Sequence, residues 1–445
     1  MEDKRNFPRI KTDLKVNVKK NTLADIVDLS EGGLSFNTGE DISTPTIALQ
    51  VDFPDGLKIK ANARLVWHRE IEEKCSLYGV EFIELDESSK SRLRKELIKT
   101  QIDELLKEIK SSEVKEQTLQ FFLKDILSYI KEITGIAEEF SYQKKYSSDL
   151  QKKFDDLTTQ ILLKGYCLEE LFEDKKITQR IKDNFRQLVG TWIYKSAIVK
   201  RAYEKPRGYP GDYKMLEIVY DNEPISKDFG IYPDNCFLKS PYAVAVRMRK
   251  NRLREILLSF INESRSNKIH ILDIACGSCR EIKELLSNLK TQSIVTFNCL
   301  DWDEEALRFS QDVLLSIKPK NVEFKFIKED IMNLIKNDKS SESIGEQDLI
   351  YSIGLIDYLP DRVLKKLIYV LYQLLKKEGR LILTHKNREK TFPPLPPDWF
   401  CDWKFVSRNK DEVIKLFYTC GISEFSLSSE SDDFEYIYYF TIIKK

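Results

Sequence analysis

Hydrophobic and polar positions follow three different patterns along this chain and divide it into three segments. Up to about residue 95, short apolar runs alternate with turn signals such as Asp-Gly and Gly-Gly, which is typical of a small antiparallel β-barrel or sandwich. From residue 96 to about 240, apolar residues recur with helical spacing. From residue 241 to 445, strand-like apolar runs alternate with helical stretches, which indicates an α/β sheet. We therefore predict three domains, at 1–95, 96–240 and 241–445.

The same patterns predict individual elements of the first two segments. The middle segment has apolar helical faces at 97–109 and 121–130, and further helical stretches at 148–163 and 178–203. Lysine and acidic residues cover the other faces of these helices. This segment therefore predicts a helical connector or cap. The predicted strands of the first segment are 14–18, 23–27, 33–37, 46–53, 57–67 and 78–83.

The stretch IHILDIACGSCRE at 269–281 organises the third segment. It predicts a buried strand, a turn of small residues around Gly277 and a helix from Arg280, which is how a doubly wound sheet presents its first strand to a ligand. A dinucleotide site needs several glycines near the pyrophosphate. A single glycine therefore favours S-adenosylmethionine (SAM), which has no phosphate, over NAD. A plain turn without a ligand is the alternative for this motif taken alone.

Polar or small residues follow the next predicted strands as well. The strand at 293–300 leads to Asp301, whose carboxylate is placed to accept hydrogen bonds from both hydroxyls of a ribose. The strand at 322–327 leads to Asp330 and Ile331, which are placed to hold an adenine amine and cover its ring. The predicted cofactor-binding residues are Asp273, Ala275, Cys276, Gly277, Asp301, Trp302, Asp330, Ile331, Ser352 and Ile353.

Further strands at 348–352 and 380–384, and a helix at 304–317, complete a predicted doubly wound, Rossmann-like α/β sheet. In order and spacing, the motifs over residues 240 to 445 resemble those of class I SAM-dependent methyltransferases. The resemblance implies SAM as the cofactor.

Two short motifs lie around the first predicted strands. Arg5 and Arg9 form an RxxxR motif, and DLSEGG contains Asp28, Ser30 and Gly33 in a DxSxxG motif. Together they resemble the PilZ domain, a receptor for the second messenger cyclic di-GMP. Arginine guanidinium groups can bind phosphates in a forked geometry and stack on guanine, while Asp28 and Ser30 can bind a guanine edge. The alternative is a solvated basic arm followed by an ordinary turn.

A cluster of glycine and proline lies in KPRGYPGDYKMLEIVY at 205–220, which predicts an irregular, shaped loop between helices. Together with 354–368 and 402–417, this segment resembles methyltransferases of 3-hydroxypalmitic acid methyl ester biosynthesis. The resemblance spans residues 180 to 445. It implies a helical cap on the methyltransferase core and a small-molecule, fatty-acid-like acceptor.

A carboxylate acceptor is already ionised and requires a cationic or hydrogen-bonding clamp and an apolar channel rather than a base. The predicted substrate-binding residues are Arg207, Tyr209 and Asp212, and the predicted catalytic residues are Arg207, Tyr358 and His385. If the acceptor is a hydroxyl or an amine instead, His385 is the best-placed base.

Composition and charge bear on the partners and the cellular location of the protein. The charges cancel to a net charge of zero, so nothing favours a nucleic-acid or anionic-membrane partner. The first residues lack an apolar signal core, no apolar run is long enough for a membrane span, and eight cysteines are irregularly spaced. We therefore expect a cytoplasmic protein with reduced thiols, and a homodimer is an open alternative.

The spacing of Cys276 and Cys279 occurs in redox and metal sites. Without a second pair or nearby histidines, the sequence predicts no metal site. The leading hypothesis is thus a SAM-dependent methyltransferase that responds to cyclic di-GMP. The alternative is a cyclic di-GMP effector whose methyltransferase fold is inactive and acts by binding a partner.

Overall fold

The computed structural model describes residues 9–19, 22–54, 56–72, 75–83, 85–336 and 344–445. The chain divides into two compact units. The first is Met1–Ser196 with Lys227–Gly230, and the second is Ala197–Ser226 with Ile231–Lys445. The helices of the middle segment are therefore shared between the two units.

The first unit begins with an antiparallel β-barrel. The strands are β1 (Ile10–Lys11), β2 (Lys15–Lys19), β3 (Thr22–Ser30), β4 (Gly33–Thr38), β5 (Thr46–Asp52), β6 (Lys58–Glu72) and β7 (Cys75–Phe82). They pair in the order β1-β3-β2-β5-β6-β7-β4, and a further pairing of β3 with β4 closes the barrel. A Cβ atom on Gly33 would lie 2.1 Å from the carbonyl oxygen of Val80, so glycine is required where β4 meets β7. The predicted barrel is confirmed, and β1 is an additional strand.

Helices complete the first unit. They are α1 (Glu87–Glu108), α2 (Ser112–Gln120), a π-helical segment (Phe121–Ile126), α3 (Leu127–Gln143), α4 (Ser148–Glu169) and α5 (Lys175–Ile193). The prediction of one continuous helix at 178–203 was wrong, because α5 ends at Ile193 and the next helix begins only at Ala197. The N–H groups of Lys195 and Ser196 donate to the carbonyls of Trp192 and Ile193, and such i to i−3 bonds tighten the last turn of a helix and end it.

The second unit contains a seven-stranded sheet. Its strands are β8 (Lys268–Ile274), β9 (Ile294–Asp301), β10 (Val322–Lys328), β11 (Gln347–Ile353), β12 (Leu375–Lys386), β13 (Phe425–Ser431) and β14 (Ile437–Lys444). The order is β10-β9-β8-β11-β12-β14-β13. Strands β8 to β12 pair in parallel, and β14 is antiparallel to both β12 and β13. The predicted doubly wound sheet is confirmed, and the β13–β14 hairpin is an addition to it.

Both faces of this sheet are buried. Ile269 and Ile271 of β8 belong to one apolar cluster, whereas Leu272 and Ile274 belong to another, because alternate strand residues point to opposite faces. The helices of this unit are α6 (Ala197–Glu204), α7 (Tyr213–Asp221), α8 (Ile231–Leu238), α9 (Pro241–Glu263), α10 (Arg280–Leu286), α11 (Glu304–Ile317), α12 (Ile331–Lys336), α13 (Asp361–Gln373), α14 (Arg388–Thr391), α15 (Leu395–Cys401) and α16 (Lys410–Thr419).

The parallel strands all end at one edge of the sheet, where open α/β sheets bind their ligands. The loop 205–212 joins α6 to α7 within the same unit. Across the described ranges of the chain, no helix combines the length and the apolar character needed to cross a bilayer.

Candidate functional site

The turn after β8 is held in an unusual conformation. Ala275, Gly277 and Cys279 have left-handed φ angles of 58°, 53° and 48°. This region costs a non-glycine residue about 1–2 kcal/mol. Contacts to the neighbouring elements hold the turn in place: the Gly277 N–H donates to Asp301 Oδ2 at 2.8 Å, and Ser310 Oγ donates to the Gly277 carbonyl at 2.8 Å.

Asp301 occupies the end of β9 beside this turn. Its Oδ2 accepts from Gly277, and its Oδ1 accepts from the Asp303 N–H at 2.9 Å. Burial raises the pKa of this carboxyl. A carboxylate has about four acceptor positions, so each oxygen of Asp301 can accept a further hydrogen bond. Trp302 follows and is 54% exposed.

One part of the loop 205–212 contacts the segment that follows β9. Arg207 Nε lies 2.5 Å from Asp303 Oδ2, and a further nitrogen of the same guanidinium contacts Glu305. The Tyr209 ring lies 5.9 Å from the Trp302 ring, centroid to centroid. Because both acidic partners of Arg207 are at the start of α11, the loop is fastened beside the end of β9.

The other end of the loop approaches the segments that follow β11 and β12. A Cβ atom on Gly211 would lie 2.8 Å from the Trp403 ring and 3.3 Å from Tyr358 Oη. Asp212 is fully buried, caps α7 through its contacts with the N–H groups of Lys214 and Met215, and accepts from Arg201 at 2.7 Å. The Asp212 carboxylate therefore holds the loop in position.

A buried cluster of charged groups lies after β11 and β12. Asp357 Oδ1 is 2.8 Å from His385 Nδ1, and Asp357 Oδ2 is 2.5 Å from Lys386 Nζ and 3.5 Å from an Arg249 nitrogen. Burial alone raises the pKa of Asp357, but Lys386, the His385 contact and Arg249 outweigh it and hold the pKa well below its ordinary value. Burial lowers the pKa of Lys386. Within the described part of the chain, neither Nδ1 nor Nε2 of His385 makes a hydrogen bond of normal geometry, although Nδ1 lies close to Asp357.

Aromatic side chains line this cluster. Trp403 Nε1 donates to Tyr358 Oη at 2.9 Å, and the Tyr358 and Tyr242 rings lie 5.6 Å and 4.7 Å from the Phe405 ring. Lys386 Nζ lies 4.4 Å from the centroid of the Phe405 ring, a favourable cation–π arrangement. The result is an apolar surface with Lys386 and Arg249 close to it.

The remaining predicted cofactor-binding residues occupy the same edge with their own contacts. Ser352 is buried and donates to the Ile274 carbonyl at 2.7 Å. Asp330 is exposed and accepts from the Met332 N–H at 2.7 Å, so it helps to begin α12. Ile331 and Ile353 are half-buried.

The barrel brings together the described residues of the two N-terminal motifs. Arg9 pairs with Asp28 at 2.5 Å, and Ser30 Oγ donates to the Gly33 carbonyl at 3.0 Å. Arg5 lies outside the described residues. The structure therefore joins Arg9 of the RxxxR motif to the first acid of the DxSxxG motif.

Comparison with models of known protein families finds a matching domain in the N-terminal part and another in the C-terminal part of the chain. Residues 3–99 match the PilZ domain, and residues 265–438 match a methyltransferase domain. The protein carries a PilZ domain and a methyltransferase domain. Both of these resemblances are confirmed, whereas the one to 3-hydroxypalmitic acid methyl ester biosynthesis stays a prediction. No curated protein matches the chain.

Solved structures resemble parts of the chain at low identity. A possible exported protein from Bordetella parapertussis has 15% identity over 71% of this chain and 96% of its own, with a TM-score of 0.41. Magnesium protoporphyrin IX methyltransferase from Synechocystis with bound SAM has 13% identity over 46% and 83%, with a TM-score of 0.33. The PH0226 protein from Pyrococcus horikoshii has 19% identity over 45% and 91%, with a TM-score of 0.33. Because these TM-scores lie below 0.5, the similarities support no functional assignment by themselves.

Sequence reasoning missed several residues of the methyltransferase and PilZ domains. Asp357 and Lys386 are adjacent in the sequence to the predicted residues Tyr358 and His385. This adjacency indicates that they lie near the same strand ends. Arg249 is one of many charged residues on α9, and nothing in the sequence distinguishes it. Glu31 lies inside the DxSxxG motif, is buried, and accepts two N–H groups of Arg94 from α1.

Proposed function

We propose that this protein is a SAM-dependent methyltransferase that responds to cyclic di-GMP. Its proposed acceptor is a small carboxylic acid with an apolar chain, such as a 3-hydroxy fatty acid. The observation that carries the proposal is the position of the loop 205–212, which contacts the end of β9 through Arg207 and the Tyr358–Trp403 pair through Gly211. One loop thus lies over both the proposed cofactor side and the proposed acceptor side of the methyltransferase domain.

The residues at the turn fit SAM. Asp301 retains acceptor positions for ribose hydroxyls, and a Cβ atom on Gly277 would meet nothing closer than the Tyr213 Cβ at 3.9 Å. The side chains of Asp273 and Cys276 are buried, so the turn would contact the cofactor mainly through its backbone. When bound, SAM supplies an electrophilic methyl group. The protein's contribution is to hold the acceptor in line with it, which accounts for much of the rate gain in such transfers.

The charge cluster fits an anionic acceptor. Arg249 and Lys386 carry two positive charges, whereas Asp357 supplies one negative charge. The excess positive charge favours a carboxylate, which needs no general base because it is ionised at neutral pH. The rings of Tyr242, Tyr358, Trp403 and Phe405 offer an apolar surface for the chain of the acid.

A hydroxyl acceptor is the second candidate, and the Asp357–His385 pair favours it. His385 Nδ1 lies 2.8 Å from Asp357 Oδ1, and Nε2 on the other side of the ring is without a partner among the described residues, so Nε2 is the atom that would take a proton. An acid that orients a histidine in this way is the arrangement found beside activated nucleophiles. On this alternative, His385 is the base and the product is an ether rather than an ester.

The response to cyclic di-GMP is proposed to pass through Glu31 and Arg94. The nucleotide would contact Arg5, Arg9, Asp28, Ser30 and Gly33 of the PilZ domain. Glu31 lies within this motif and joins it to α1 through Arg94. Helix α1 packs on α5 through the Gln101–Gln187 hydrogen bond of 2.8 Å, and α5 is followed in the chain by α6 of the second unit. A shift of the motif on nucleotide binding would therefore move α1.

Product analysis tests this proposal. The full chain is incubated with labelled SAM and 3-hydroxypalmitic acid, with and without cyclic di-GMP, and the product is treated with alkali. A carboxylate acceptor gives an ester that alkali hydrolyses, whereas a hydroxyl acceptor gives an alkali-stable ether. Binding of cyclic di-GMP without any binding of SAM would support the inactive-scaffold alternative instead.

A further inference from the structure

Three thiols and a carboxylate converge beneath the turn after β8. One ligand atom each from Asp273, Cys276 and Cys279 lies within 4.8 Å of the others, and all three side chains are buried. Cys299 of β9 is the register partner of Asp273 of β8, so the two side chains project from the same face of neighbouring strands. The Cys299 thiol interacts with the thiols of both Cys276 and Cys279.

The Asp273 carboxylate of this cluster has no positively charged group paired with it among the described residues. Neither oxygen of Asp273 makes a hydrogen bond of normal geometry within the described residues, although Tyr351 and Glu281 are neighbours. Tyr351 Oη donates to Glu281 Oε1 at 3.0 Å instead. A buried carboxylate stays ionised only where hydrogen bonds or an opposite charge compensate it, and a bound cation at this position would supply that charge.

We propose that Asp273, Cys276, Cys279 and Cys299 bind a zinc ion. Cysteine thiolates prefer soft or borderline metals such as zinc over magnesium or calcium. A tetrahedral zinc ion with metal–sulfur bonds of about 2.3 Å holds its sulfur ligands roughly 3.8 Å apart. The ligand atoms of Asp273, Cys276 and Cys279 lie within 4.8 Å of one another and would therefore move closer by about 1 Å on binding, with Cys299 as the fourth ligand.

The ligands connect four parts of the methyltransferase domain. Asp273 is at the end of β8, Cys276 is in the turn, Cys279 immediately precedes α10 and Cys299 is on β9. All three cysteines belong to one apolar cluster, so the ion is shielded from water. Its role is structural: it fixes the left-handed backbone at Cys279 and leaves the backbone of the turn and Asp301 available for the cofactor.

This site was not predicted because Cys299 is distant in the sequence from the Cys276–Cys279 pair. The pair alone could equally form a redox disulfide, as the spacing suggests. The third thiol and the uncompensated carboxylate favour a metal, because a disulfide would use two thiols and leave Asp273 without a partner.

Metal analysis of the full chain tests the proposal. Protein purified without chelators should contain about one zinc ion per chain, and a mercurial reagent should release it. Replacement by cobalt should give thiolate charge-transfer bands and the intense visible bands of a tetrahedral site. Both readouts are independent of methyl transfer.

Matched variants assign the ligands. Cys299→Ser should weaken zinc binding more than tenfold in a chelator competition, since even changes outside the ligand set cost about 10–100-fold. Cys420→Ser is the control, because the Cys420 thiol contacts the Phe417 carbonyl instead, and it should retain the metal. If Cys299→Ser does not fold, the cobalt spectrum of the unaltered protein decides. A metal-free protein without a cobalt spectrum, or a Cys276–Cys279 disulfide in the peptide map, would overturn the proposal.

Discussion

Asp357 Oδ1 lies 2.8 Å from His385 Nδ1, and the two side chains are only 1% and 2% exposed. Asp357 follows β11, whereas His385 lies near the end of β12. The contact therefore depends on the parallel pairing of these strands. It places a histidine, a lysine and an arginine around a single carboxylate, and this arrangement is the basis of the proposed acceptor site.

The stability of the methyltransferase domain should depend on Asp357. We expect Asp357→Asn to lower the free energy of unfolding by about 3–5 kcal/mol, because it leaves buried positive groups without their counter-charge. Urea denaturation measures the change. Asp411→Asn, at an exposed position in the first turn of α16, should change stability by no more than about 0.5 kcal/mol. Equal effects of the two variants would contradict the role of Asp357.

The pH dependence of stability should carry the signature of the same carboxylate. The pKa of Asp357 is lower in the folded protein than in the unfolded chain, so its contribution is complete above the unfolded pKa of about 4. The contribution is lost as the pH falls through the folded value. The difference in unfolding free energy between the unaltered protein and Asp357→Asn should thus be constant from pH 7 to about 5 and decrease below about 4. A constant difference down to pH 2 would contradict this assignment.

The packing of Gly211 should control acceptor binding. A Cβ atom there would displace the Trp403 ring, which donates to Tyr358. We expect Gly211→Ala to reduce kcat/KM for the acceptor by about tenfold to a hundredfold and to leave the Kd for SAM within about twofold. Gly135→Ala is the control, because nothing lies within 4 Å of its Cβ position. An unchanged kcat/KM in Gly211→Ala would argue against an acceptor site at Trp403.

The forked contact of Arg207 should support SAM binding. Lysine retains the charge but cannot bind Asp303 and Glu305 with the same planar geometry. We therefore expect Arg207→Lys to weaken SAM binding by about tenfold in calorimetry, equivalent to about 1.4 kcal/mol. Arg308→Lys changes an ion pair with Glu304 whose side chains are 71% and 48% exposed, and it should have no measurable effect. Equal affinities in all three proteins would show that the loop does not support the cofactor.

The Glu31–Arg94 pair should couple the PilZ domain to methyl transfer. In Arg94→Gln, cyclic di-GMP should still bind, but the rate of methyl transfer should no longer respond to it, because α1 is released from the DxSxxG motif. Arg64→Gln removes an ion pair with Glu81 whose side chains are 65% and 53% exposed, and it should preserve the response. A full response in Arg94→Gln would exclude this route of communication.

Local patterns predicted much of the fold, and the reason is visible in particular elements. The helix predicted at 304–317 corresponds to α11 (Glu304–Ile317), because Asp303 caps its start and its apolar residues keep helical spacing. The β13–β14 hairpin was not predicted. Its two strands follow the last α/β unit, and no strand–helix–strand pattern indicates that they join the sheet. Its place in the sheet depends on pairing with β12.

The candidate site was only partly predictable for a related reason. Residues at strand ends, such as Asp301 and His385, could be placed because parallel strands end at a common edge. Arg249 reaches Asp357 from a helix far away in the sequence, and Cys299 meets Asp273 only through strand register. Contacts of this kind are determined by tertiary packing, which no local pattern reports.

The transfer of a labelled methyl group from SAM to 3-hydroxypalmitic acid by the full chain tests the central claim most directly. The predicted result is an alkali-labile methyl ester whose rate of formation changes with cyclic di-GMP in the unaltered protein and is insensitive to the nucleotide in Arg9→Ala. A folded protein that binds cyclic di-GMP but neither binds SAM nor forms any methylated product, with Asp301 intact, would contradict the account.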